Sequence, residues 1–211
     1  MASQKETPSR GRPAQLSTER IVACALGMGV GQLSMHKIAK TLGVSTTALY
    51  RHVASKEELI YLCADQVTGR VATPEQVEWQ AYLFALARGY RTAALQAPGS
   101  VEFLRYVGLQ TPHGLRLMDH SLGVMRNAGF EPEGAFMAVA GVVSHATDMV
   151  LHQELAERRT EASNIGDLTG LEDLPNVIWA MSAGVGTDHD RNFEVGLQII
   201  VEGVKAAIVK G

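Results

Sequence analysis

One stretch, SMHKIAKTLGVSTTALYRHVASK at residues 34–56, limits what this chain can fold into. It reads as two short helices about a tight turn, with a third helix starting behind them. Ser34 is placed to cap the first, in which Met35, Ile38, Ala39 and Leu42 fall at helical spacing. Gly43 ends that helix, where a backbone of positive φ is needed. Val44 plugs the turn. Ser45 caps the second helix, whose inner stripe is Ala48, Leu49 and Val53. Thr46, Thr47, Tyr50, Arg51 and His52 are left without a core to pack against. Hydroxyls, a phenol, a guanidinium and an imidazole on one short helix suit the major groove of DNA.

A turn of this kind is common, and the wider pattern carries more weight. IAxxLGVSxxALYxHVxSKxxL, with the GRP lead-in and the helix before it, resembles the DNA-binding domain of the TetR family of transcriptional regulators from about Arg10 to Asp65. Lys56 at a helix start and Tyr50 are expected on phosphate, Arg51 and Thr46 on base edges. The expected DNA-facing set is Ser34, His36, Ser45, Thr46, Thr47, Tyr50, Arg51, His52 and Lys56.

The charge distribution agrees with a chain that meets phosphate at one end. Residues 1–60 carry eight Lys or Arg and four Asp or Glu, and the rest carry eleven and eighteen. A basic head on an acidic body, at a pI near 6.2, argues against a binder that is basic throughout. Cys24 and Cys63 sit in helical apolar patterns and predict reduced, buried thiols in a cytoplasm. No unbroken apolar run reaches membrane-spanning length, so no membrane is expected.

Residues 1–16 are polar and read as a flexible basic arm, whose RGRP piece is suited to a minor groove or to solvent. Residues 17–72 form the DNA-binding domain, with Ser17 capping its first helix and Ser55 its fourth. The glycines of GMGVG at 27–31 follow a helix and lack the strand that a dinucleotide loop requires, so they make a turn. Residues 73–211 form a helical ligand-binding and dimerisation domain. Helices are expected over 75–96, 100–106, 112–127, 132–159 and 191–209, with a short one around Val177, Ile178 and Trp179 and a loop at 160–175. No period-two alternation competes, and the fold class is all-α.

The last helix carries Phe193, Leu197, Ile200, Val201 and Val204, an apolar surface wider than one neighbour needs. With the 132–159 helix it resembles the tetracycline-repressor branch, in which these helices form a four-helix homodimer interface. The pocket of that branch holds a magnesium-bound tetracycline through polar and histidine side chains. The matching positions here are Ala72, Leu86, Tyr106 and Leu109, with Gln153 in place of an acidic metal partner, and His145 alone retained. The resemblance thus implies a more apolar pocket with no metal. Leu86, Tyr90, Tyr106, Leu109, Met118, Ser121, His145, Met149 and Trp179 are its candidate lining.

His145, Asp148 and His152 share a helical face, and His113 and His120 are seven apart. Structural sites usually draw ligands from several segments, and both groups read better as pocket or interface polar residues. No HExxH, GxSxG or Walker A pattern occurs, so neither an enzyme nor a cofactor is expected. The expectation is a homodimeric repressor that reads a palindromic double-stranded operator and is released by a small, mainly apolar organic effector. The rival is a constitutive DNA-binding dimer without an effector.

Overall fold

The computed structural model describes residues 16–107, 110–158, 173–182 and 188–208. Among them the fold is all-α: ten helices and one 3-10 turn. The head contains α1 (Thr18–Leu26), the 3-10 turn Val30–Gln32, α2 (Met35–Leu42), α3 (Thr46–Tyr50) and α4 (Lys56–Thr68). The body contains α5 (Trp79–Leu95), α6 (Val101–Val107), α7 (Pro112–Asn127), α8 (Pro132–Arg158), α9 (Pro175–Ser182) and α10 (His189–Ile208). Residues 1–15 of the N-terminal arm and the 160–172 part of the expected loop lie outside the described residues, while Leu16 packs against the head core.

Capping chemistry sets most boundaries. Ser17, Ser45, Ser55 and Thr111 each accept a backbone N–H of the turn they start. Asp188 caps α10 through the Arg191 N–H at 2.9 Å. Ser34 departs from expectation: it holds the N-cap position of α2, but its hydroxyl makes no capping bond. The helix expected from residue 75 begins at Trp79, because the Glu78 carboxylate accepts the Gln80 and Ala81 N–H groups. Val77, outside that cap, is exposed.

The head core gathers Ile21, Ala25, Ile38, Leu49, Leu59 and Cys63, all fully buried. Phe103 and Leu104 of α6 pack into the same cluster. The body is built on α8, which packs against α5, α7 and α10 through Ala138, Val139, Val142, Ala146 and neighbouring residues. By length and composition α8 could cross a membrane. It holds no unbroken apolar run of that length, since Ser144, His145, Thr147 and Asp148 interrupt the pattern. Here its apolar stripe is the centre of the body core. Both cysteines are free thiols. Burial pushes Cys63 up to about 12, whereas Cys24 is only half-buried, less than its pattern suggests.

Candidate nucleic-acid interface and effector cavity

The head turn is built by backbone bonds around Gly43. Its φ of 68° is left-handed, and the next two N–H groups return to α2: Gly43 to the Lys40 carbonyl at 3.3 Å and Val44 to that of Ala39 at 3.0 Å. This pair of bonds satisfies the helix end and fixes the direction in which α3 leaves. Leu49 and Val53 then anchor α3 in the core, while Ala48 is half-buried.

α3 is shorter than its pattern suggests. It ends at Tyr50, and Arg51 and His52 lie in the turn that follows. That turn closes with the His52 and Val53 N–H groups on the Leu49 carbonyl. The chain must leave the helix there, because Ser55 already caps α4 and the Glu58 carboxylate accepts the Ala54 N–H. His36, Ser45, Thr47, Tyr50, Arg51, His52 and Lys56 are exposed, and Ser34 and Thr46 half-buried. Lys37 and Lys40, also exposed on α2, add cations that the sequence-based set omits, and Lys37 is held by the Gln32 carboxamide at 2.8 Å.

A cavity of about 320 Å³ lies beneath the head. Thr68 of α4 borders it, as do Tyr90 of α5 and Met118 of α7. Leu104 and Arg105 close one side from α6. α8 supplies Ala140, Val143, Ser144, Thr147 and Asp148. Arg105 and Asp148 form an ion pair that ties α6 to α8. Of the expected lining, Tyr90 and Met118 border this cavity.

The other expected lining residues lie elsewhere. Leu86 is sealed in the body core. Ser121 is buried, bonded to the Tyr82 hydroxyl at 2.8 Å and to the Leu117 carbonyl. Met149 packs half-buried against the body core. Tyr106 is 65% exposed, because Phe103 and Leu104 face the head core and Arg105 takes the cavity side. Trp179 is 77% exposed on α9. Leu109 lies outside the described residues. His145 turns toward α10: it lies flat on Phe193 at 5.5 Å, and its Nε2–H donates to the Phe193 carbonyl at 2.8 Å.

The polar triad of α8 is thereby divided among different partners. His145 serves α10, Asp148 serves α6, and His152 is exposed. Gln153 accepts from Arg91. Among the described residues no group of three His, Cys, Asp or Glu side chains could hold a metal ion.

The expected partner-facing stripe of α10 is also divided. Phe193, Leu197 and Val201 are buried in the body core of the same chain, and Ile200 and Val204 sit at its edge. Apolar side chains that are exposed include Val195 and Ile199, with Phe136, Met137 and Leu155 of α8. Wide apolar coverage of α10 is thus shared between two faces, which the count of apolar residues cannot separate.

A helix-turn-helix head joined to an all-α body with a cavity beneath it is an architecture of DNA-binding regulators. Residues 16–61 match the model of bacterial regulatory proteins of the tetR family, and residues 72–208 that of the tetracyclin repressor-like C-terminal domain. The chain belongs to the TetR family of transcriptional regulators, which are DNA-binding proteins and not enzymes. It is 29% identical to the HTH-type transcriptional repressor DrrR1 of Streptomyces coeruleorubidus, over 96% of this chain and 82% of that protein. An HTH-type transcriptional regulator of Saccharopolyspora erythraea is 27% identical, over 95% and 89%. The TetR family protein ActR of Streptomyces coelicolor, solved in complex with actinorhodin, superposes with a TM-score of 0.76 at 27% identity, over 92% of this chain and 99% of that one.

Proposed function

We propose that the protein is a cytoplasmic, homodimeric repressor that reads a palindromic operator and leaves it when a small, mainly apolar organic molecule enters the cavity. The observation that carries this reading is the double role of α6. Its Phe103 and Leu104 belong to the head core, while Leu104 and Arg105 also wall the cavity. A ligand that displaces α6 therefore acts on the packing of the head without touching DNA. The effect requires that the ligand bind the two arrangements with different affinity. ActR, similar over nearly its whole length, was solved with an organic ligand, which supports an effector here.

In this reading Arg51 and Thr46 contact bases, with Thr47, His36 and His52 beside them, while Tyr50, Lys56, Ser34 and Ser45 hold phosphate. Helix-turn-helix dimers engage half-sites about 34–36 Å apart, which supports a dimer, and the exposed apolar side chains of α8 and α10 offer its surface. The test is titration of the protein onto its own promoter DNA, with and without candidate lipophilic compounds. Saturable release that a chelator does not alter is expected. Operator binding that no cavity-sized compound changes would instead favour the constitutive dimer.

A further inference from the structure

Leu104, Met118, Ala140 and Val143 give the cavity an apolar part, and its polar groups are unequally committed. The Thr68 and Thr147 hydroxyls donate to carbonyls of their own helices, Ala64 at 2.8 Å and Val143 at 3.1 Å. Their protons are therefore used. Tyr90 is 4% exposed, yet its hydroxyl bonds no described residue, and it is open to the cavity. Burial, with the nearby Tyr82, pushes that phenol up to about 12, so it keeps its proton and remains a donor. Arg105 presents a guanidinium fork of which one nitrogen is taken by Asp148. Asp148, the carboxylate of this wall, is already occupied by Arg105.

We propose, building on the effector reading above, that the effector is an organic anion, its carboxylate or equivalent oxygen anion held by Arg105 and Tyr90 while its apolar part fills the cavity. An anion finds a cation held by one ion pair and a hydroxyl donor that bonds no described residue. A cation would have to share Asp148 with Arg105 at its side. Asp148 then has a definite part: it neutralises Arg105 in the empty cavity and competes with the incoming anion. Since Arg105 is on α6, its capture by a ligand loosens the tie to α8 on the same helix that packs into the head. The pair is about half exposed on both sides, so its loss costs the fold little.

The experiment compares aromatic carboxylic acids of increasing ring number with their methyl esters. Binding is titrated by calorimetry on the full chain and its Arg105→Gln, Arg105→Lys, Asp148→Asn and Ala140→Trp variants, each first checked for helicity and melting. Acids should bind about tenfold more tightly than esters, the weight of one charge-assisted hydrogen bond. Arg105→Gln should remove that preference, and Arg105→Lys should retain part of it. Asp148→Asn should tighten acid binding, whereas a purely structural pair would weaken it in both variants. Ala140→Trp, which fills the cavity, should block both series. Esters that bind as well as acids and are blocked by Ala140→Trp would overturn the anion assignment and leave the cavity reading standing. Acid binding weakened by Asp148→Asn would also overturn it. Absence of binding by either series would overturn both readings.

Discussion

His145 on α8 and Gly196 on α10 occupy a single space: a Cβ added at Gly196 would lie 2.4 Å from Cε1 of the imidazole. The ring is pinned there by its bond to the Phe193 carbonyl and by stacking on the Phe193 ring. Gly196→Ala must therefore push a ring that has little freedom to move. Overpacking of this kind costs about 1–3 kcal/mol, so the denaturant midpoint should fall. Adding His145→Ala in the same chain should recover part of the loss. An unchanged midpoint in Gly196→Ala would show that the contact is soft.

Asp65 of α4 clasps the start of α7, accepting the His113 backbone N–H at 2.9 Å and lying 2.8 Å from its Nδ1. Burial pushes the Asp65 carboxyl up, but hydrogen bonds from the His113 N–H and ring, the His113 charge and the Thr111 hydroxyl outweigh burial and leave it below its ordinary value. A carboxylate held low in the folded chain stabilises the fold fully above its unfolded value of about 3.9, and that contribution is lost as pH falls through the lower folded value. Asp65→Asn should lower the melting temperature at neutral pH. The two melting curves should converge in acid, and a gap that persists there would contradict the linkage.

On the head, Arg51→Ala and Lys56→Ala should fail differently. If Arg51 reads a guanine, its loss costs about 1–3 kcal/mol on the operator and much less on random DNA. Lys56 is expected on phosphate, so its loss should weaken all sequences alike and reduce the salt slope by about one. Titrations on both DNAs at several salt concentrations separate the two. Equal losses for Arg51→Ala on operator and random DNA would remove it from base recognition.

Leu197 and Ile199 test the two faces of α10. Leu197 is fully buried within its own subunit, so Leu197→Asp places an unpaired charge in the core and should unfold the chain. Ile199 is 67% exposed in the single subunit, so Ile199→Asp should leave a folded, helical monomer with weak operator affinity. Circular dichroism together with light scattering distinguishes these outcomes. A stable dimer carrying Ile199→Asp would move the interface off this face.

Local chemistry in the sequence determined most of the head, but not the short α3, the idle Ser34 hydroxyl or the packing of α6 into its core. Serine caps, the left-handed Gly43 and the spacing of Ile38, Leu49 and Val53 act within a few residues, and no distant contact overrides them. The all-α body and the breaks at Pro98–Gly99 and Ala128–Gly129 were legible for the same reason. The direction in which each apolar or polar side chain faces was decided only by tertiary packing. Phe193, Leu197, Ile199 and Ile200 are alike in composition, and only the positions of α5 and α8 sort them into core, edge and surface. His145 has the chemistry of a pocket residue, but the missing side chain of Gly196 turns it to α10. Arg105 and Asp148, 43 residues apart, become one element of the cavity because α6 lies across α8, a proximity that no local pattern encodes.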